Sequence, residues 1–331
     1  MTGGPWLVTG ASGFLGRHLL HVIQADRRLP RATAVVRDRD AWNAMAWTRT
    51  LDRVDVLEAS VATLAEAPGI SGIFHLAALV RHSRANRDEV YRTNIDGTLA
   101  MVRLAAQAHC RLVFVSTSGT VGCFRDAGSI ADEDSPHCDA EVARWPYYDS
   151  KVKAERQGRR LAAELGVDLV IARPPVLLGP GDHRFRSVAH VTRFLEGRVP
   201  FVIRGGMHFA DVRDVAGALV RIMELQQARP VYHLPGTMCS IQEFYGMTAA
   251  VSGRKPPAWV IPYRAALGLS RLSARLGLHL LPEPSLIEMA AHHWAMRSKY
   301  AEEDLAWRPR PGLETLRDTV EWVRSEPKSR R

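Results

Sequence analysis

The sequence predicts an α/β fold, a doubly wound parallel sheet with a smaller, mostly helical region after it. Three observations carry that expectation. Short apolar runs alternate with stretches of helical periodicity as far as Arg173, as expected for strands covered on both faces by crossover helices. The first run, Trp6-Leu7-Val8-Thr9, ends in a glycine turn and leads into Phe14, Leu15, Leu19, Leu20 and Ile23 at helical spacing. Beyond Arg173 the alternation loosens into Pro174-Pro175, Gly179-Pro180-Gly181-Asp182 and a proline-punctuated helical stretch.

The elements follow in order. Glycines at 10, 13 and 16 spell G-x-x-G-x-x-G. Gly10 permits the sharp turn, Gly13 lets an anion approach the backbone, and Gly16 lets the helix lie close on the strand. With the unpaired N–H groups of the first helical turn, this is an anion site. Ala32-Thr33-Ala34-Val35-Val36 reads as the second strand, ending in Arg37-Asp38-Arg39-Asp40. Arg53-Val54-Asp55-Val56-Leu57 is the third, and Gly72-Ile73-Phe74-His75-Leu76-Ala77-Ala78 the fourth. Residues 94–108 are expected to be helical, and Arg111-Leu112-Val113-Phe114-Val115 is the fifth strand. A helix over 147–165 follows, with Pro146 suited to its first turn. Val167-Asp168-Leu169-Val170-Ile171-Ala172 is the sixth strand, 211–225 a helix, and Val231-Tyr232-His233-Leu234 rejoins the sheet.

The bulk numbers narrow the function. The 331 residues are 46% hydrophobic and 24% charged, ordinary globular values that permit one large or two intimate domains. The formal charge of +9 comes from scattered arginines, with no basic stripe interleaved with aromatics, so nucleic acid is not expected. An anionic cofactor and substrate suit the charge equally well. Cys110, Cys123, Cys138 and Cys239 make no C-x-x-C pair and no zinc spacing, which reads as reduced thiols in a cytoplasmic protein. Residues 1–5 lack a basic segment and a long apolar core, so no leader is expected, and no apolar run reaches membrane-spanning length.

Two further stretches can carry chemistry. Tyr147 and Lys151 are four apart on an expected helix and share a face. A neighbouring ammonium favours the phenolate and brings a tyrosine toward acid/base work. Tyr148 is at the wrong spacing for that role and reads as packing or substrate contact. Ser116-Thr117-Ser118-Gly119 lies at the C-terminal end of the fifth strand, where an open parallel sheet binds ligands. His292-His293, and His208 with Asp211, form no coherent ligand set, and no metal is expected. Residues 263–281 carry Leu267, Leu269, Leu272, Leu276 and Leu278 among Arg264, Arg271 and Arg275. They read as a segment packed over the substrate cleft, with contact to a membrane surface the minor alternative.

In this order, these motifs resemble the extended short-chain dehydrogenase/reductases, the epimerase/dehydratase family. The resemblance rests on the Thr9 to Gly16 turn, His75-Leu76-Ala77-Ala78, Asn94-Ile95-Asp96-Gly97-Thr98, Ser116-Thr117-Ser118 and Tyr147 with Lys151. Arg173-Pro174, Gly179-Pro180-Gly181-Asp182 and Asp211-Val212-Arg213-Asp214-Val215-Ala216 continue it over nearly the whole chain. It implies a Rossmann-type domain in which Tyr147 is the general acid/base and Lys151 lowers its pKa and binds the nicotinamide ribose. A hydroxyl after the fifth strand would orient the reacting oxygen. Counting forward from Phe114 selects Thr117, and counting back from Val121 selects Ser118. The Ser-Ser-Ala-Gly-Thr-Val form of dihydroflavonol-reductase-like members ranks Thr117 first.

The resemblance also assigns Thr9, Gly10, Ser12, Gly13, Phe14, Leu15 and Gly16 to the cofactor, with Ala77, Ala78, Asn94, Pro174 and Val176. Ser60 stands where the family usually has an Asp near the adenine. Members that use NAD place an acid after the second strand, whereas Arg37 stands there and suits a 2′-phosphate. NADP(H) is therefore the expected cofactor, with NAD(H) the alternative. The expected units are 1–175 with 208–235 for the dinucleotide, 176–207 with 236–324 for the substrate, and 325–331 as a disordered tail.

The C-terminal region resembles the dihydroflavonol reductase and 3β-hydroxysteroid dehydrogenase branch, which implies reduction of a small, fairly apolar carbonyl. A sugar-nucleotide epimerase or dehydratase that retains NAD is the enzyme alternative. A non-catalytic NADP sensor is the third reading, and such proteins typically lose the tyrosine that this chain keeps. Many relatives pair through helices equivalent to 94–108 and 147–165. Here Lys153, Arg156, Arg159 and Arg160 would repel across a two-fold axis, which leaves monomer and homodimer both open.

Overall fold

The computed structural model describes residues 3–81, 87–278 and 281–327. Seven strands form one parallel sheet. The first five are β1 (Trp6–Thr9), β2 (Ala32–Val36), β3 (Val54–Glu58), β4 (Gly72–His75) and β5 (Arg111–Val115). Leu169–Arg173 and Val231–His233 complete it. Across the sheet the order runs Val231–His233, Leu169–Arg173, β5, β4, β1, β2, β3. Chain order therefore reverses between β1 and β4, and a crevice opens beyond the C-terminal ends of those two strands.

Side-chain alternation builds two cores from the same strands. Trp6 and Val8 of β1, with Val113 and Val115 of β5, point to one face. There they meet helix α1 (Phe14–Ala25) and the helix Val212–Glu224. Leu7 and Leu112 point to the other face, against the helix Gly97–Ala108 and Ala162 of the helix Pro146–Leu165. A third core lies outside the large sheet. Val176–Leu178, Gly206–Asp211 and Thr237–Ser240 make a three-stranded sheet covered by the helices Ile241–Ser252 and Gly312–Ser325.

The expected elements are present, with shifts that have local causes. The fourth strand stops at His75, because the Ala77 N–H turns to the Thr9 hydroxyl at 3.3 Å instead of continuing the ladder. The helix expected over 94–108 begins earlier, at Arg87, and passes through a π turn, Arg92–Asp96. Residues 208–211 were expected in the dinucleotide unit, yet they pair with Val176–Leu178 in the smaller sheet. The C-terminal region contains short strands as well as helices. The last helix runs through Ser325, one residue into the expected tail, and 328–331 lie outside the described residues.

The glycine turn shows why its residues are glycine. Gly10 has φ +69°, and a Cβ there would lie 2.7 Å from the Ala77 nitrogen. A Cβ on Gly16 would meet the Gly10 carbonyl and come within 2.7 Å of the Ala11 oxygen, so α1 rests directly on the turn. Gly16→Ala should therefore cost about 1–3 kcal/mol through forced backbone movement. Chemical denaturation read by circular dichroism measures it, and an unchanged midpoint would contradict the packing described.

Candidate active site

The site is built on one stripe of the helix Pro146–Leu165. Pro146 occupies its first turn, where no N–H is needed, and Gly166 ends it at φ +66°. Tyr147, Lys151 and Glu155 follow at intervals of four and face the C-terminal end of β5. The Thr117 hydroxyl, just past β5, is hydrogen-bonded to the Tyr147 phenol. Lys151 Nζ donates to the Val115 carbonyl at 2.8 Å and lies 4.5 Å from the centre of the Phe114 ring. Ser150 Oγ donates to the Tyr147 carbonyl at 2.7 Å and accepts from Asn94 Nδ2 at 2.9 Å.

Burial sets the protonation of this stripe. It pushes the Tyr147 phenol up to about 12, against the lowering effect of the Thr117 hydrogen bond. Burial also brings the Lys151 ammonium down to about 7, and the negative charge of Glu155 opposes that fall. His75 is pushed down to about 3 by burial and by Lys151, so it stays neutral between Thr9 at 2.8 Å and Thr98 at 3.3 Å.

Beneath the stripe lies a polar network that sequence reasoning missed. Glu155 is fully buried. Its carboxylate accepts from Ser116 Oγ at 2.5 Å, Thr120 Oγ1 at 3.0 Å, Arg173 Nε at 3.1 Å and His137 Nε2 at 2.9 Å. Arg173 Nη1 meets His233 Nε2 at 3.1 Å. Burial alone would raise the Glu155 carboxyl, but Arg173 and His137 hold it well below the usual carboxylate range. The available signal was spacing, since Glu155 is the next residue on the Tyr147–Lys151 stripe.

Residues 6–234 match the model of the NAD dependent epimerase/dehydratase family. The chain belongs to that family. It is 31% identical to the dihydroflavonol 4-reductase of Zea mays over 277 residues, 76% of this chain and 75% of that one. It is 30% identical to cinnamoyl-CoA reductase 1 of Oryza sativa subsp. japonica over 265 residues, 75% and 76% of the two chains. In fold it is similar to the UDP-glucuronic acid 4-epimerase of Bacillus cereus in complex with NAD, with TM-score 0.73, 16% identity and 98% and 97% coverage. The crystal structure of gox2253 superposes with TM-score 0.80 at 24% identity, covering 97% and 98%. The chain is thus an enzyme of oxidoreductase type that binds a nicotinamide dinucleotide.

The residues at the glycine turn fit the family's cofactor. α1 starts at Phe14 with no side-chain cap from Gly13, and the N–H groups of such a first helical turn are where an anion binds. A Cβ at Gly13 would meet only the Gly10 oxygen, at 3.1 Å, which leaves the turn open on its outer side. Thr9 is inward, bonded to His75 and to the Ala77 N–H, and so sets the crevice rather than lining it. Pro174 accepts the Ser118 N–H at 2.8 Å, and Val176 opens the smaller sheet directly after it.

Several expected ligands turn out to be otherwise engaged. Asn94 spends its amide on the Leu79 backbone, at 2.8 and 3.1 Å, and on Ser150. It fastens the loop carrying Ala77 and Ala78 to the Pro146–Leu165 helix. The Ser60 hydroxyl is paired with Thr63 Oγ1 at 2.9 Å in a local turn. Arg37 is exposed at the end of β2. The neighbouring Asp38 carboxylate accepts the Ala41 N–H at 2.8 Å and caps the short helix Arg39–Asn43.

The structure adds Arg184, whose Nη2 lies 3.2 Å from Ser12 Oγ. Its loop is held by Asp182, which accepts the Ser187 and Val188 N–H groups at 2.7 and 3.1 Å. Phe185 sits at φ +50° and stacks on Trp322 at 5.1 Å. An aromatic wall stands beside Tyr147. Tyr148 lies 5.1 Å from it, Trp294 packs 5.0 Å from Tyr148, and Trp145 packs 5.9 Å from Trp294. Trp294 arrives from the C-terminal region on a strand paired with Cys123–Phe124.

The 263–281 segment differs from expectation. Its helix, Tyr263–Arg275, packs on the helix Pro284–Ala290 and the Ile203–Ile287 cluster rather than on the aromatic wall. Of the four cations expected to repel across a two-fold axis, Lys153, Arg156 and Arg160 have acidic partners within the chain. These cations pair with Asp149, Asp139 and Glu164 at 2.9, 2.6 and 2.9 Å. All four cysteine thiols are free, and no helix among the described residues is long and apolar enough to cross a membrane.

Glu155→Gln leaves Arg173 buried without an anion and should cost about 3–5 kcal/mol in urea unfolding. The pH dependence has a defined sign. A carboxyl held below the usual carboxylate range stabilises the fold at pH above that range, and the contribution is lost as pH falls through the folded value. The wild type should therefore lose stability on acidification more steeply than Glu155→Gln. Parallel pH slopes would contradict the assignment.

Proposed function

We propose that the chain is an NADP(H)-dependent reductase of a small, fairly apolar ketone or aldehyde, with Tyr147 as the proton donor. The observation that carries this reading is the Thr117–Tyr147 hydrogen bond above a buried lysine at the end of a central strand. The nicotinamide, when bound, supplies the hydride. Thr117 orients the carbonyl oxygen, and Tyr147 gives that oxygen its phenolic proton as the alcohol forms. The Lys151 ammonium stabilises the phenolate left behind, and a proton from solvent restores the phenol. The reverse direction uses the same groups.

An apolar substrate is supported by what stands beside Tyr147. Tyr148, Trp294 and Trp145 offer ring faces and edges rather than the charged donors that a sugar nucleotide would use. The names of the Zea mays and Oryza sativa relatives point the same way. The NADP preference rests on Arg37 being exposed at the end of β2 while Asp38 is committed to its helix cap. Arg184, hydrogen-bonded to Ser12, adds a second guanidinium beside the glycine turn.

Tyr147→Phe should retain cofactor binding and cut turnover roughly 10²- to 10⁴-fold, the usual scale for a general acid. Steady-state reduction of a panel of aryl and alkyl ketones and aldehydes, followed by NADPH absorbance, provides the readout. Activity near that of the wild type would remove Tyr147 from the chemistry.

Cofactor choice is tested separately by calorimetry. A charge-assisted bond to the 2′-phosphate contributes about 1.5–3 kcal/mol, so NADPH should bind on the order of ten- to a hundredfold more tightly than NADH. Arg37→Asp should reverse or abolish the preference, because it adds repulsion as well as removing the partner. Equal loss of both cofactors would show that Arg37 does not read the phosphate.

A further inference from the structure

The helix Tyr263–Arg275 is built inside out for a protein core. Its buried side is Ala266, Ser270 and Ser273, which are small residues at spacings of four and three. Leu267 packs inward, but Leu269 and Leu272 face water at 48% and 54% exposed, as does Leu276 just after the helix at 61%. Twelve large hydrophobic side chains are exposed among the described residues, and seven of them fall within residues 259–278. Trp259, 71% exposed, stands on the short strand just before the helix. An apolar patch of this kind marks an interaction surface.

Charge says what kind of surface it meets. No Asp or Glu occurs between Glu243 and Glu283, while Arg254, Lys255, Arg264, Arg271 and Arg275 all do. The five cations are solvent-exposed. At about 100° per residue, Arg264, Arg271 and Arg275 form one stripe, and the leucines form another about a quarter-turn or slightly more away. Arg271 lies 3.6 Å from Glu288 of the neighbouring helix.

We propose that this face, the leucine stripe with Trp259 and the flanking arginines, docks the enzyme on an anionic lipid surface. The leucines enter the acyl boundary, and the guanidinium groups remain at headgroup depth. An exposed indole beside the helix suits the same interface. Thirteen residues make a helix of roughly 20 Å, which lies on a bilayer rather than crossing it. A protein partner would have to bring a matching apolar groove rimmed with acids, whereas an anionic bilayer supplies both features without shape complementarity. None of these residues belongs to the site around Tyr147, so the inference stands apart from the reading of the reaction.

Flotation with phosphatidylglycerol-containing vesicles tests it, with pure phosphatidylcholine vesicles as the control. The wild type should partition to the anionic vesicles at least about tenfold more strongly than to the neutral ones. Raising salt from about 0.1 M to about 1 M, which shortens the screening length roughly threefold, should weaken the binding. Leu272→Asp with Leu276→Asp should lower the partition at least about tenfold, and Arg264→Gln, Arg271→Gln and Arg275→Gln together several-fold. Circular dichroism and the unfolding midpoint establish that the variants fold. Absence of wild-type binding to anionic vesicles, or equal binding by the folded leucine variant, overturns the proposal. So does a wild-type dimer, seen by light scattering, that the leucine variant splits without any vesicle binding, since the face would then be a contact between two copies.

Discussion

The Glu155 carboxylate is sealed from water and ties together three pieces of chain. Ser116 and Thr120 come from the segment after β5, Arg173 ends the next strand of the sheet, and His137 comes from the loop before the Pro146–Leu165 helix. Removing such a charge from water is costly unless every lone pair is answered, and here the answers come from different elements. Thr117 lies between two of Glu155's partners, and Lys151 lies one turn before it on the same helix. The placement of Thr117 relative to Tyr147 therefore depends on this ion pair, whereas that of Lys151 follows from the helix it shares with Tyr147.

The sheet itself was legible because its information is local. Each strand is a short apolar run bounded by turn residues, and each helix repeats at its own period. The glycine turn was legible residue by residue, since Gly10 and Gly16 exclude a Cβ through contacts made within one βα unit. Tyr147 and Lys151 could be paired because four residues on a helix is a spatial statement. Asp211 at the start of its helix, and Gly166 after its own, are capping signals of the same local kind.

What sequence reading missed depends on contacts between distant segments. Arg184 reaches Ser12 across 172 positions, and Trp294 reaches Tyr148 from the other end of the chain. Asn94 sits in a recognisable motif, but the bonds of its amide to the Leu79 backbone were not legible from that motif. The helix Tyr263–Arg275 misled for a different reason. Its leucines have core-like periodicity, but periodicity reports that an apolar face exists and not which side the protein covers. Only the burial of Ala266, Ser270 and Ser273 decides that question.

In the proposed reaction, the same helical stripe lets a tyrosine in a dry pocket serve as an acid and still be restored. Burial favours the neutral form of each group, raising Tyr147 and lowering Lys151. Taken alone, that would leave a phenol and an amine, with no charge to stabilise a phenolate. Glu155 opposes the loss of the lysine proton, because it is an anion that Arg173 and His137 keep ionised. Lys151, whose ammonium form Glu155 favours, lies within one turn of the Tyr147 phenol. The stripe is therefore ordered, with a phenol at one end, a lysine next to it and an anion at the base. In the proposed reaction a cation at Lys151 would favour the Tyr147 phenolate, and a carboxylate two turns away would support that cation.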